Sequence, residues 1–338
     1  LLQEYSAFDL PDALLLDPRL ATDEELLWLQ TIEYVAAVKA LNSGAAVNMD
    51  AARFGFSTQG DNPVYPGMFE AAAFSTGASL VAAEMVSSKT VDAAFNISGG
   101  LHHARANQAS GCCVFNDPAL AIHYFLRQGH RVAYVDIDAH HGDGVQEAFY
   151  NDERVLTISI HESGQWLFPG TGSVAEMGEG SGRGFSVNLP LYPYTIDDDY
   201  VDAFAQVVPP LVAAFAPDIL VTQLGIDSYH NDPLTHLQVT TEGYIETVRQ
   251  LAGLGLPWLA LGGGGYDVSA VARAWTLVYG VMLGAEWPDQ LPTDFFKEFR
   301  VSRLRDHLRP ESPSEIKMDA RRYMEDSVGA IRQPVFPL

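Results

Sequence analysis

Residues 131–144 read RVAYVDIDAHHGDG, an apolar run that leads directly into three acids and two histidines. The apolar part predicts a buried β-strand that delivers charged side chains to one point. Burying a charge is costly unless it is paired or bound to a metal. This stretch therefore indicates a metal site, a catalytic acid/base cluster, or both.

Four other apolar runs also lead into residues that can do chemistry. Residues 92–98 lead to His102 and His103, 154–160 to His161, 217–225 to Asp227, and 256–263 to Tyr266. Helical patterns such as 117–129 and 200–216 lie between these runs, and this alternation predicts an α/β fold with a parallel sheet covered on both faces. In such sheets ligands bind at the carboxyl ends of the strands, so we predict one shared active site there.

The N-terminal part of the chain is predicted to begin with a helix. Residues 22–41 have helical spacing of apolar residues, and Thr22 and Glu25 form the pattern of a capping box. A single helix is therefore expected over this range.

The composition limits the class of protein. The chain has 338 residues, 47% of them hydrophobic, and a formal net charge of −23. Such an acidic chain does not hold nucleic acid by counterion release, and no apolar run reaches the roughly 18 residues of a membrane span. The acidity suits cationic substrates, and it equally suits solubility alone. Cys112 and Cys113 are adjacent and fit neither a disulfide framework nor zinc-finger spacing, so we expect a cytoplasmic protein.

The candidate metal ligands are histidine and carboxylate. Side chains alternate along extended chain, so Asp136, Asp138 and His140 point the same way. Asp138 and His140 can hold one metal, and Asp227 from another strand end can complete the set. Three protein ligands with an open position are typical of catalytic zinc, although other divalent metals such as Fe²⁺ accept these ligands. The competing interpretation is that these acids cap helices or pair with arginines.

The remaining polar residues fit acid/base work. His102 and His103 suit general acid/base catalysis, with Asp136 and Asp143 orienting the rings. Tyr266, after Gly262 to Gly265, can donate to a developing oxyanion, although ordinary packing of a lone aromatic is the alternative. His141 is expected to be structural.

Five motifs together resemble the zinc-dependent histone deacetylase superfamily, of the class I type, and within it the bacterial acetoin utilisation branch. They are SGGLHHARANQASGCCVFND, VDIDAHHGDGVQEAFY, FPGTG, QLGIDS and LALGGGGYDVSAVARAWT, in family order over about 22–284. The resemblance implies one domain over 1–338 with the arginase/deacetylase fold, whose central parallel sheet has about eight strands between helices. Residues 285–338 fit the family poorly and form an extension.

The resemblance also implies roles for the site residues. Zinc is held by Asp138, His140 and Asp227, while His102 pairs with Asp136 and His103 with Asp143. In this scheme His103 is the general base and acid, His102 is an electrostatic helper, and Tyr266 polarises the amide carbonyl. A potassium ion is expected beside the zinc, at Asp136, Asp138, His140 and Ser159, partly through main-chain oxygens.

The same resemblance places substrate-binding residues around the site. Asp61 matches the rim carboxylate that holds the substrate backbone, and Leu234 also lies on the rim. Two facing phenylalanines usually form the acyl-lysine tunnel of the family. Phe168 supplies one, and Cys112, next to Gly111, stands where the other is usual. An altered acyl preference is therefore expected.

The function implied is removal of acetyl groups from lysine side chains of proteins, and the suggested substrate is acetyl-coenzyme A synthetase. The expected oligomeric state is a monomer. An acetylpolyamine or other small-molecule deacetylase of the same superfamily is the main alternative. A binuclear manganese ureohydrolase lacks its second Asp-rich ligand set here. A catalytically inactive acyl-lysine binding module conflicts with an intact metal set, histidine pair and Tyr266.

Overall fold

A parallel β-sheet lies at the centre of the molecule. The computed structural model describes residues 1–44, 49–57 and 59–332. Within them the strands are β1 (Ala93–Asn96), β2 (Val132–Asp136), β3 (Val155–Glu162), β4 (Ser186–Leu191), β5 (Ile219–Gln223) and β6 (Trp258–Leu261). Their spatial order is β1-β6-β5-β2-β3-β4, and every neighbouring pair is parallel. The predicted α/β class is confirmed.

The expected total of about eight strands is wrong, because the described residues contain six. All five apolar runs form strands, and β4 is the additional one. Its sequence, SVNLPL, lacks a continuous apolar pattern, and its proline is tolerated because β4 lies at the edge of the sheet. Elsewhere Ile196 with Gln238, and Tyr229 with Val239, pair at one residue only, so they form isolated bridges and not further strands.

Helices cover the sheet. Those in the described residues are α1 (Asp23–Leu26), α2 (Ile32–Asn42), α3 (Met68–Ser87), α4 (Asp117–Arg127), α5 (Asp143–Phe149), α6 (Asp197–Phe215), α7 (Thr241–Ala252), α8 (Val268–Leu283), α9 (Thr293–Phe299) and α10 (Ser314–Arg332). The capping box of Thr22 and Glu25 is present. The single helix expected over 22–41 is two helices, because the Thr31 side chain caps a new one by accepting the N–H of Tyr34. None of the described helices is long and apolar enough to cross a membrane.

Alternate residues of the strands face two apolar cores. In β2, Val132 and Tyr134 face the core that α3, α4 and α5 complete. Ala133 and Val135 face the other core, with α6, α7, α8 and α10. Every residue of β2 is buried. The sheet is therefore covered on both faces, and helix α10 packs against β4 and α6.

The register of the sheet fixes where chemistry can occur. Asp136 at the end of β2 pairs with Ser159 of β3 on one side and with Gln223 of β5 on the other. The loops that follow the strands therefore begin at the same edge. This is the carboxyl edge at which a shared site is predicted.

Candidate active site

Two histidine–carboxylate pairs, called here the histidine pairs, join the loop after β1 to the end of β2 and the start of α5. Nδ1 of His102 lies 2.8 Å from Oδ2 of Asp136, and Nδ1 of His103 lies 2.7 Å from Oδ1 of Asp143. The Nε2 atoms of the two rings are 3.1 Å apart. All four side chains are buried. Each carboxylate therefore orients one imidazole, so that the two Nε2 atoms face each other within hydrogen-bond distance.

The two adjacent rings have opposite pKa shifts. Burial lowers the pKa of His102, but the charges of Asp136 and Asp138 outweigh burial and raise it to about 9. Burial, followed by the charge of His102, lowers the pKa of His103 to about 4. At neutral pH His102 carries the positive charge, and His103 is a neutral imidazole that can accept a proton.

A second cluster, called here the metal set, consists of Asp138, His140 and Asp227. One ligand atom from each lies within 4.8 Å of the others. Nδ1 of His140 is 3.1 Å from Oδ1 of Asp138 and 2.8 Å from Oδ2 of Asp227. Both carboxylates are buried. Two buried carboxylates against one imidazole leave an excess of negative charge, which a cation would balance.

The charges of the metal set fit a divalent metal. Burial, followed by the charge of Asp138, raises the pKa of Asp227 to about 7. Burial lowers the pKa of His140, but the two carboxylates outweigh burial and raise it to about 11. Carboxylates that raise the pKa of His140 this far would also attract a metal cation. One imidazole nitrogen and two carboxylate oxygens, with further coordination positions open, suit a catalytic divalent ion.

Hydrogen bonds fix the outer oxygens of the metal set. Gln223 Nε2 and the N–H of Gly264 donate to Oδ2 of Asp138 at 2.6 and 2.8 Å. The N–H of Ala139 donates to Oδ1 of Asp227 at 2.7 Å. A Cβ at Gly264 would collide with the Asp227 carboxylate. The glycine run after β6 therefore allows the backbone to approach the ligands closely.

Tyr266 follows that glycine run. Its N–H donates to Oδ2 of Asp232 at 2.8 Å, which fixes its backbone. Burial of the hydroxyl, and then the charges of Asp138 and Asp227, raise the pKa of Tyr266. The hydroxyl therefore stays protonated at neutral pH and can donate to a developing oxyanion.

Phe168 forms a wall beside both clusters. Its ring centroid lies 5.1 Å from that of His103 and 6.4 Å from that of His140, both edge to face. Gly111 approaches His103 so closely that a Cβ there would collide with the ring. Phe168 itself remains 46% exposed. The structure thus brings an aromatic surface and the two clusters together at one opening, called here the mouth.

The other predicted substrate-binding residues are exposed. Cys112 has a φ of 64° and an exposed side chain. Burial, followed by the charge of Asp61, raises the pKa of its thiol, while the charge of His140 acts in the opposite sense. Leu234 is 51% exposed, and its N–H donates to Oδ1 of Asp232 at 2.9 Å. Leu234 and Tyr266 are therefore attached to the same carboxylate.

Two histidines near the carboxyl edge do not join the clusters. The His161 ring faces that of His141, with centroids 4.8 Å apart. Nδ1 of His141 lies 2.8 Å from the Thr171 hydroxyl, and Nδ1 of His161 lies 2.9 Å from the Ser159 hydroxyl. Both rings are buried. Their contacts are those of structural residues, while Ser159 keeps its place beside Asp136 in the sheet.

Residues that hold the loop after β1 are not apparent in the sequence. Asp117, at the start of α4, accepts the N–H groups of Gly100 and Leu101 at 3.1 and 2.8 Å. Asn116 donates to the carbonyl oxygen of His102 at 3.1 Å. Burial raises the pKa of Asp117 to about 6. In the sequence, Asn116 and Asp117 appear only as an Asn-Asp pair at the start of a helix, which is typical of an ordinary helix cap.

Sequence comparisons agree with this geometry. Residues 1–282 match the model of the histone deacetylase domain. The chain is 41% identical to the acetoin utilization protein AcuC of Bacillus subtilis, over 89% of this chain and 79% of that protein. It is 36% identical to histone deacetylase 1 of Homo sapiens, over 91% of this chain and 63% of that protein. The chain thus spans less than two thirds of the human relative.

Solved structures show the same fold. The crystal structure of an HDAC homolog complexed with SAHA has a TM-score of 0.85 and 30% sequence identity, and the match covers 93% of this chain and 88% of that one. The HDAC homolog from Aquifex aeolicus has a TM-score of 0.84 and 31% identity over the same shares of the two chains. Sequence and fold agree that the chain belongs to the histone deacetylase family of hydrolases.

Proposed function

We propose that the chain is a zinc-dependent deacetylase that removes acetyl groups from lysine side chains of proteins. The observation that carries this proposal is the convergence of three parts on one mouth. These parts are the metal set, the neutral imidazole of His103, and the protonated hydroxyl of Tyr266, which lies near enough to Asp138 and Asp227 for their charges to raise its pKa. Together they supply what hydrolysis of an unactivated amide requires: a Lewis acid, a proton carrier and an oxyanion donor.

His103 is the proton carrier in this proposal. Asp138, His140 and Asp227 would hold zinc, which would supply Lewis acidity toward the acetyl carbonyl and the attacking water. Asp143 engages Nδ1 of His103 at 2.7 Å, so Nε2 accepts a proton and later donates it to the departing lysine nitrogen. His103 is also the ring that contacts Phe168 at the mouth. His102 keeps its positive charge beside it and acts electrostatically.

Tyr266 holds the oxygen that becomes negative. Its hydroxyl stays protonated because burial raises its pKa, and Asp232 fixes the backbone from which it projects. A donor fixed in this way stabilises the tetrahedral state more than the planar amide, which lowers the barrier.

The substrate is proposed to be an acetylated protein. Phe168 offers an apolar wall for the aliphatic part of a lysine side chain, and Asp61 is an exposed carboxylate for the substrate backbone. The likeness to AcuC, whose name refers to acetoin utilisation, supports a substrate from the metabolism of such small carbon compounds. We therefore propose acetylated acetyl-coenzyme A synthetase.

A second candidate is an acetylpolyamine. The formal charge of −23 favours a polycationic substrate over a neutral one. The two candidates share the chemistry of the site and differ only in what surrounds the acetylated amine.

The deciding experiment is a comparison of substrates on the zinc-loaded protein. Acetate release is measured with an acetyl-lysine peptide from acetyl-coenzyme A synthetase, a scrambled acetyl-lysine peptide and an N-acetylpolyamine, with chelated protein as the blank. The synthetase peptide should have the highest kcat/KM. Preference for the polyamine would reject the protein substrate, and no release from any substrate would reject the deacetylase itself.

We further propose a potassium ion beside the metal set, at Asp136, Asp138, His140 and Ser159, partly through main-chain oxygens. Exchange of potassium for sodium at constant ionic strength should then change turnover. Equal turnover in the two salts would argue against this ion.

A further inference from the structure

The C-terminal segment, residues 283–332, lies outside the part of the chain that matches the family model, which ends at residue 282. Helix α10 of this segment packs on β4 and α6. Two side chains of the segment, Asp306 and Tyr323, contact the loops that form the candidate active site. Asp306 contacts the loop after β5, and Tyr323 contacts the loop after β3.

The first contact is a closed ring of hydrogen bonds around Tyr229, two residues after the proposed metal ligand Asp227. Arg273 of α8 donates to Oδ1 of Asp306 at 2.8 Å and to the Tyr229 hydroxyl at 2.8 Å. The Tyr229 hydroxyl donates to Oδ1 of Asp306 at 3.3 Å. The Arg273 side chain is 2% exposed and that of Asp306 is 16% exposed. The ring is therefore largely shielded from water, where each bond counts for more.

Asp306 also holds the other end of the same loop. Its Oδ2 accepts the N–H of Thr241 at 3.0 Å, and its own N–H donates to the Thr241 hydroxyl at 2.8 Å. Thr241 is the first residue of α7, at which the loop ends. One carboxylate of the C-terminal segment thus contacts both ends of the loop that carries Asp227, Asp232 and Leu234.

The second contact is with the loop that carries Phe168. The hydroxyl of Tyr323 in α10 donates to the Ser163 hydroxyl at 3.0 Å, and its ring lies 5.8 Å from the Trp166 ring. Ser163 and Trp166 belong to the loop after β3, which continues into the wall residue Phe168. The segment therefore contacts both the loop that carries Asp227 and the loop that carries Phe168.

We propose that the C-terminal segment positions the active site, with Asp306 and Arg273 fixing Asp227 through Tyr229, and Tyr323 fixing the loop that carries Phe168. These are positioning residues, because none of them touches a metal ligand or the substrate wall directly. The inference rests on the proposed metal set but does not depend on the substrate, since its main test measures metal binding.

The main test is zinc affinity measured by competition with a chelator in Tyr229→Phe and Asp306→Asn. Each should bind zinc about tenfold more weakly, at the low end of what outer contacts of a metal site contribute. In the double variant, zinc affinity should be little lower than in the more affected single variant, because both substitutions break the same ring of hydrogen bonds. If the two contacts were independent, their fold losses in affinity would multiply.

Asp294→Asn is the matched control. Asp294 belongs to α9 of the same segment, pairs with Lys297 at 2.8 Å, and has a side chain that is 92% exposed. Its zinc affinity should stay within about twofold of the unchanged protein, because an exposed ion pair contributes little. Unchanged affinity in Tyr229→Phe and Asp306→Asn would overturn the proposal, and so would an equal loss in Asp294→Asn. If Asp306→Asn does not fold, Tyr229→Phe decides, because it removes only one hydroxyl.

The second test concerns the contact between Tyr323 and the loop that carries Phe168. Tyr323→Phe removes the hydrogen bond to Ser163 and should raise KM for an acetyl-lysine peptide roughly two- to tenfold, the range of one hydrogen bond. Because no proton carrier is displaced, kcat and zinc affinity should stay unchanged. Tyr279→Phe, whose ring faces Phe8 away from the mouth, is the control. A fall in kcat at constant KM would contradict this part. If the protein had no deacetylase activity, KM could not be measured, and the zinc-affinity test would decide the proposal by itself.

Discussion

The histidine pairs and the metal set are built from the same two residue types but differ in their ratio. In the histidine pairs each imidazole has one carboxylate, at 2.8 and 2.7 Å. In the metal set two carboxylates converge on one imidazole nitrogen, at 3.1 and 2.8 Å. One carboxylate per ring orients an imidazole that can still exchange a proton. Two carboxylates per ring leave negative charge that favours a bound cation.

The pKa values of His140 in the metal set and His103 in the histidine pairs shift in opposite directions. Neighbouring carboxylates raise the pKa of His140 to about 11 against the effect of burial. Burial and then a neighbouring positive ring lower the pKa of His103 to about 4. His140 therefore retains positive charge tightly, whereas His103 releases a proton easily. His102 differs from its neighbour His103, because Asp136 and Asp138 raise its pKa to about 9. Substitutions in the two regions should separate metal binding from proton transfer.

The largest effect is expected from Asp227→Ala in the metal set. With one carboxylate removed, the excess negative charge disappears, and zinc affinity should fall by more than the roughly 100-fold that loss of an outer partner costs. Metal analysis after dialysis should then find almost no zinc, and turnover should be lost. Asp218→Ala, at the opposite end of β5, is the control and should keep its zinc. Stoichiometric zinc in Asp227→Ala would reject the proposed ligands.

Tyr266→Phe should have the next largest effect and separates catalysis from metal binding. Removing one oxyanion donor typically lowers kcat by about 10²–10³-fold, and the ligand atoms are untouched. Zinc content should therefore equal that of the unchanged protein. Tyr124→Phe on α4 provides a tyrosine control remote from the mouth. Full activity in Tyr266→Phe would reject its role as a donor.

Asp143→Asn tests the histidine pairs directly. The amide can still contact His103, but it no longer stabilises a positive ring, so kcat should fall about 10–100-fold, part of the roughly 10²–10⁴-fold that general acid–base catalysis contributes. Zinc should stay bound. Loss of zinc in this variant would mean that the two regions are not separable and would break the comparison.

Much of the site could be predicted from the sequence because its residues directly follow strands. Apolar runs identified five of the strands, and the carboxyl-end rule for parallel sheets indicated where their polar residues meet. Asp138 and His140 do come together, but strand alternation does not explain their contact, because β2 ends at Asp136 and residues 138–140 form bends. The structure brings them to Asp227, which lies 87 positions beyond His140.

The supports of the site could not be predicted in this way. Strand β4 lacks an apolar pattern, and Thr31 begins a new helix in the middle of a helical spacing. Asp117 and Asp306 act on loops 16 or more positions away through backbone and side-chain bonds, as in the contacts with Leu101 and Arg273. Such pairings depend on tertiary packing, and no local periodicity reports them.

Asp117 provides a third way to bury a carboxylate, with neither imidazole nor metal. Burial raises its pKa to about 6, so the folded protein binds this proton more tightly than the unfolded chain does. Its contribution to stability is present below the unfolded pKa and is lost as the pH rises through about 6. For a shift of about two units the loss is at most about 3 kcal/mol.

Asp117→Asn should remove this pH dependence. The free energy of unfolding of the unchanged protein, relative to that of the variant, should fall between about pH 4 and pH 7. Urea unfolding in the presence of a chelator measures this difference without a contribution from metal loss. A difference that stays constant over this range would show that folding does not raise the pKa of Asp117.

The smallest effect is expected at the mouth, from Cys112→Phe. Phe168 lines one side of the mouth, and an aromatic ring at Cys112 would narrow it and disfavour longer acyl groups. With about 0.8 kcal/mol for each methylene, the ratio of acetyl- to butyryl-lysine turnover should change several-fold. Cys112→Ser, which keeps the size of the side chain, should leave the ratio unchanged. Identical acyl profiles for Cys112→Phe and the unchanged protein would show that Cys112 does not shape the mouth. Such a result would leave the assignments of the histidine pairs and the metal set unaffected.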